Sequence, residues 1–206
     1  MKTRSERLAE LLALDPAERH ERLRKLSARQ RQEFRHHWQL WASPAQVPPA
    51  CDWRIWLIMA GRGFGKTRAG AEWVRFIADH DPQARIALVG ATLGEVRSVM
   101  VEGESGILAI SPRGRKPSFE PSLKRLVWPN GAQASLFAAG EPEALRGPQH
   151  SHAWCDELAK WDNAGERAGQ AWDNLQLGLR LGERHGRDLA RGELFSHAKG
   201  EAPRAG

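Results

Sequence analysis

The chain has 206 residues, with 41% hydrophobic and 27% charged side chains, enough apolar content for a buried core and too much for wholesale disorder. Its 31 Lys and Arg against 25 Asp and Glu give a net charge of +6, a balance that suits a polyanionic partner without specifying one. Two distant cysteines, Cys51 and Cys155, exclude a disulfide scaffold and point to a reducing, cytoplasmic compartment. The apolar stretch Ile55–Ala60 is far too short to span a bilayer, and the charged N-terminus MKTRSERLAE has no apolar signal core.

Residues 1–42 read as a basic helical arm. Leu8, Leu11, Leu12 and Leu14 recur at helical spacing, and Asp15-Pro16-Ala17-Glu18 reads as an N-cap, a proline at the first helical position and a capping-box glutamate. Ser27 with Gln30 marks a third start. The proline-rich stretch 42–53 connects this arm to a segment of different texture.

Residues 43–182 alternate strand and helix, which predicts a mainly parallel sheet flanked by helices, an α/β fold. WLIMA (56–60) reads as a short buried strand, followed by a glycine-rich turn and the helix KTRAGAEWVRFIADH. RIALVGA (85–91) is a second buried strand, and Thr92 with Glu95 opens a helix running to about Val101. Residues 111–122 form a polar basic loop suited to phosphate backbones, and 123–139 form a hairpin around Pro129-Asn130-Gly131. EPEALRGPQH reads as a loop with one helical turn. HAWCDE (152–157) is an apolar strand ending in two acids. Residues 164–181 form a helix with Ala168, Trp172, Leu175 and Leu179 on one face. Residues 183–206 show no strand-like run and are expected to be disordered.

Chemistry concentrates in two places. AGRGFGKT (60–67) fits the phosphate-binding P-loop, with Ala60 in the place of the first glycine. Gly61, Gly63 and Gly65 let backbone N–H groups turn toward phosphate oxygens, Lys66 bridges the β- and γ-phosphates, and the Thr67 hydroxyl binds Mg²⁺. The following helix directs its positive end at the anion. The second place is AWCDE, where Asp156 would stand beside Mg²⁺ and Glu157 would polarise the attacking water. Such a pair marks ATPases of the additional-strand catalytic-glutamate class. Arg62, inside the loop, would reach the γ-phosphate, and Arg146 would act as an arginine finger in trans. His150, His152 and Cys155 have loose metal-like spacing, but Cys155 within a strand reads as a small buried hydrophobe.

WLIMAGRGFGKTRAGAEWVRF, EPEALRG and HAWCDELAKW, in this order, resemble the large subunit of phage terminase, of the type found in gene transfer agents and prophages. The resemblance runs from about residue 35 to about 182. It implies an ATP- and Mg²⁺-dependent motor that packages double-stranded DNA, a homo-oligomer at the portal of a prohead working with a small terminase subunit. It also implies that Arg62 senses the γ-phosphate, that Arg146 is the trans finger, and that Gln46 reads adenine. Two features depart from the family: nothing after residue 182 supplies its nuclease, and ERHGRDLARGELFSHAKG matches neither its coupling strand nor the threonine-rich turn that follows. Truncation by a frameshift just after Gly182, a missing central strand, poor stability and weak activity are the resulting expectations. The alternatives are an inactive fragment that at most binds nucleotide or partners, and another DNA-stimulated P-loop ATPase of helicase-like type.

Overall fold

The computed structural model describes residues 10–11, 13–28, 36–38, 41–49, 53–161 and 165–181, and the backbone of 193–198. Leu8, Leu12, Gln30 and Cys51 lie outside these residues. The chain divides into two compact units, residues 1–43 and 44–206.

In the first unit, α1 (Pro16–Arg24) begins as its sequence dictates. The Asp15 carboxylate accepts from the backbone N–H of Ala17 at 2.8 Å and of Glu18 at 3.2 Å, satisfying donors that the helix itself leaves unpaired.

The second unit is built on β1 (Ile55–Ala60), α2 (Lys66–His80), β2 (Arg85–Gly90), α3 (Leu93–Glu95) with a π-helical continuation Val96–Val101, and α4 (Ile107–Ile110). Three short strands follow, β3 (Ser118–Glu120), β4 (Arg125–Val127) and β5 (Gln133–Ala138), and then β6 (His152–Asp156), α5 (Leu158–Trp161), α6 (Glu166–Gly178) and β7 (Glu193–Ala198). Seven strands make one sheet in the order β1-β7-β6-β2-β5-β4-β3. The first five run parallel, and β4 and β3 extend the sheet antiparallel through the expected hairpin. The loop 111–122 therefore contains a strand, β3, that its polar composition hides.

The expectation of a missing central strand is corrected here. Glu193–Ala198 occupies the slot between β1 and β6, in parallel register with both: Ile55 opposes Glu193, Ala60 opposes Ala198, and Asp156 opposes Ser196. The unpaired edges foreseen from a gap, with their cost of about 1–3 kcal/mol per buried group, do not arise. ELFSHA is a six-residue segment with little local signal, and a slot that offers backbone partners on both edges decides its conformation. The strand falls inside the stretch 183–206 expected to be disordered; the rest of that stretch lies outside the described residues.

A second correction concerns β1, read as buried throughout. Only Trp56 and Ile58 are buried; Ile55, Leu57 and Met59 alternate with them and are about half exposed. Trp56 and Ile58 belong with a core to which α2 contributes Ala69, Trp73, Val74 and Ile77. Helix α2 approaches the sheet closely because Gly70 has no side chain: a Cβ there would lie 2.3 Å from the fully buried indole of Trp154 on β6. A second cluster joins Ala87 and Val89 of β2 and Ala153 and Cys155 of β6 to Ala171 and Leu175 of α6, with Ala168, Trp172 and Leu179 packed against it. The predicted face of α6 is thus the one turned to the core, and Cys155 is a buried residue of that core.

Candidate functional site

The parallel register fixes where the site lies. The turn after β1 and the acids at the end of β6 both leave the C-terminal edge of the sheet, with β7 between them, the edge where open α/β sheets bind ligands. The phosphate loop is shaped by two left-handed glycines, Gly63 at φ 77° and Gly65 at φ 86°. A Cβ added at Gly61 or Gly63 would meet nothing within 4 Å, so the loop backbone is open to an anion. Helix α2 starts directly from Gly65. Thr67, half-buried, lies in its first turn.

Lys66 is buried, and its ammonium group donates to two carbonyls of its own loop, Ala60 O at 3.0 Å and Gly61 O at 3.1 Å. Gln46, from the proline-rich connector, is brought to the same loop, where its amide N–H donates to Phe64 O. A Cβ on Gly65 would fall 2.7 Å from that Gln46 nitrogen, the end of a flexible side chain that would have to move aside; the demand for glycine comes from the left-handed φ of 86°. Arg62 is exposed on the loop, with no partner among the described residues.

The facing acids sit differently. Asp156 is only 6% exposed, and its carboxyl is pushed up to about 7. Burial is the main cause and the neighbouring Glu157 charge adds to it, while Lys66 and Lys160 oppose it. A carboxylate held dry beside another acid is of the type that serves a cation, and Thr67, at the start of α2, is the other oxygen donor that could do so. Among the described residues no three His, Cys, Asp or Glu side chains cluster as metal ligands, so any cation here would rest on Asp156, Thr67 and ligand oxygens.

Glu157 adopts φ 51°, a left-handed backbone that disfavours any residue with a Cβ. Strain of this kind at a candidate functional residue persists only where the surroundings enforce it. Trp161 donates its indole N–H to Asp156 O at 3.1 Å, and Lys160 N–H donates to Glu157 O at 2.8 Å. The Lys160 side chain reaches Glu95 of α3 at 3.2 Å. Sequence reasoning passed over Trp161; its signal is a tryptophan five residues past the strand-ending Asp, within reach of that residue's carbonyl across one helical turn.

Arg146 is placed on the surface after a 3₁₀ turn, Pro142–Leu145, where it pairs with Glu143 at 2.9 Å. His150 and His152 are buried apart from the acids. His152 touches Ser151 Oγ and the Trp73 ring, and His150 packs edge-on against Phe137. Burial pulls the His150 imidazole down to about 4.

The structure is similar to solved phage proteins. The large terminase of the thermophilic bacteriophage D6E matches with a TM-score of 0.52 at 16% identity, covering 81% of this chain and 38% of that one. The same protein in complex with ADP matches with a TM-score of 0.51 at 16% identity, covering 81% and 37%. The large terminase ATPase domain of Thermus phage P74-26 matches with a TM-score of 0.49 at 16% identity, covering 93% and 68%. The chain thus spans well under half the length of the D6E large terminase. No curated protein sequence matches. Among the described residues no helix is long and apolar enough to cross a membrane. Residues 57–178, more than half of the chain, match the family described as terminase large subunit, T4likevirus-type, N-terminal, and the chain belongs to that family.

Proposed function

We propose that the chain binds ATP with Mg²⁺ and hydrolyses it, as the motor part of a terminase large subunit of the gene-transfer-agent and prophage type. The observation that carries this reading is the pairing, at one sheet edge, of a left-handed glycine loop bearing Lys66 with a strand ending in Asp156 and Glu157. Lys66 leaves its loop carbonyls for the β- and γ-phosphates when nucleotide enters. Backbone N–H groups of the loop and the start of α2 hold the remaining phosphate oxygens. Asp156 and Thr67 would hold Mg²⁺, whose chemistry when bound would be to neutralise phosphate charge. Glu157 takes a proton from the attacking water.

The arginines divide by position. Arg62, exposed on the loop, binds the γ-phosphate of its own site. Arg146, exposed on the surface and paired with Glu143, enters the site of a neighbouring copy in this reading. Gln46, beside the phosphate loop, contacts the adenine. The work done is translocation of double-stranded DNA into a prohead, by a homo-oligomer at the portal that engages a small subunit. The filled central slot favours this reading over an inactive fragment.

The test is ATP hydrolysis by the purified chain beside Lys66→Ala and Glu157→Ala, with and without portal and double-stranded DNA. Turnover that both substitutions abolish supports the reading. Turnover that survives either one refutes it, as does nucleotide binding unaffected by Lys66→Ala.

A further inference from the structure

Helix α5 holds a group that the hydrolysis scheme leaves unused. Trp161 is 3% exposed and belongs to the cluster that packs α6 against the sheet. A buried indole needs only an apolar pocket for its ring; its N–H needs a partner. The partner is Asp156 O, the carbonyl of the peptide that joins Asp156 to Glu157. Two torsions flank that peptide, ψ of Asp156 and φ of Glu157, and turning the peptide changes both. The indole bond therefore acts on the torsion that stands at 51°, from the carbonyl side of a peptide whose N–H donates to the Asp156 carboxyl. Lys160 N–H anchors the other side of Glu157 through its carbonyl, so both peptides around the glutamate are held by α5.

We infer that Trp161 is a positioning residue: its indole N–H locks the Asp156–Glu157 peptide and keeps Glu157 in the left-handed conformation that sets the direction of its side chain. Without that bond the peptide turns, Glu157 relaxes to an ordinary backbone conformation, and the carboxylate loses its fixed direction. The inference rests on the ATPase reading for its kinetic consequence only; the backbone lock stands independently.

Two readouts separate these. The first is a double-mutant cycle on urea unfolding of the 206-residue chain, free of nucleotide. Glu157→Gly relieves the left-handed strain and raises the folding equilibrium constant about three-fold in the wild type. In Trp161→Phe, which keeps an aromatic ring and deletes the N–H, the strain is already released. There Glu157→Gly shows only the entropic cost of glycine and lowers the constant about two-fold. Trp161→His, which retains a ring N–H, keeps at least half of the coupling. Additive effects overturn the inference, and so does loss of the folded state in both Trp161 variants, which would make the residue purely structural. The second readout is steady-state hydrolysis, where Trp161→Phe lowers kcat about ten-fold with KM for ATP unchanged; equal changes in both parameters overturn the inference. If the wild type hydrolyses no ATP with portal and DNA present, the ATPase reading fails while the cycle still decides the role of Trp161.

Discussion

The two halves of the candidate site are built on opposite terms. The phosphate loop is relaxed: its left-handed positions are glycines, and its one buried cation is satisfied by two carbonyls within 3.1 Å. The acidic end of β6 is loaded. Asp156 is dry enough to hold its proton to about 7, and Glu157 carries a Cβ in a left-handed backbone. The lesson is a division of labour. A loop at rest can bind phosphate with little rearrangement, whereas the strained acids are held for a state in which a cation and a developing charge reward the arrangement.

The largest effect should fall on the step that only the acids serve. Glu157→Gln keeps size and shape but cannot take a proton, so kcat should drop by about 10²–10⁴-fold. Nucleotide affinity should stay within about three-fold of the wild type, because phosphate is held on the other side of the cleft. Lys66→Ala should do the reverse first, losing affinity as measured by titration with a fluorescent nucleotide. Equal loss of affinity in both variants would erase the distinction between the halves.

The next effect is carried by pH. In the folded chain the Asp156 pKa is about 7, raised from 3.8 by burial first and the Glu157 charge second. Between these values the folded state holds the extra proton, so this group makes stability fall as pH rises, by up to about 4 kcal/mol. His150, packed against Phe137, has the opposite sign. Burial lowers it from 6.5 to about 4, so the unfolded state holds the extra proton, and its contribution, up to about 3 kcal/mol, is full above 6.5 and lost as pH falls toward 4. The two slopes oppose one another over the shared window. Stability of Asp156→Asn relative to wild type should therefore increase with pH from 4 to 7, and that of His150→Gln should decrease from 4 to 6.5. Urea midpoints taken at half-unit steps measure both differences, and parallel curves for all three proteins would show that neither group is held as described.

These contrasts explain what the sequence discloses. The relaxed half was legible because its chemistry is written in residue type and spacing: glycines at 61, 63 and 65, then Lys66 and Thr67, between an apolar strand and an amphipathic helix. Asp156 and Glu157 were legible as residues but not in their state, since burial and a torsion of 51° arise only when β6 packs between β7 and β2 and α5 folds back. Trp161 offers only its spacing from Asp156, because an indole at the end of a short helix looks like any other core aromatic until its N–H meets a carbonyl. The strand at 193–198 was hidden for a related reason: its conformation is decided by β1 and β6, more than 130 and about 40 residues away in the chain, and not by ELFSHA itself. The exposed alternate face of β1 escaped notice because an unbroken apolar run carries no alternation to read.

The smallest effect probes whether the loop is as relaxed as its geometry indicates. Gly65→Ala places a Cβ at φ 86°, a cost of about 1–2 kcal/mol, and brings it against the Gln46 amide. That amide is the far end of a flexible side chain, so it moves aside and gives up its bond to Phe64 O, worth about 1 kcal/mol. Gln46→Ala alone loses the same bond. The double variant should therefore be more stable than the sum of the singles by about 1 kcal/mol, because the bond is counted twice in that sum and only the torsional cost belongs to Gly65 alone. Full additivity in urea unfolding would mean that Gln46 yields without losing its carbonyl. Coupling far above 1 kcal/mol would mean that the loop is held by Gln46 as tightly as Glu157 is held by α5, and the two halves would no longer differ in kind.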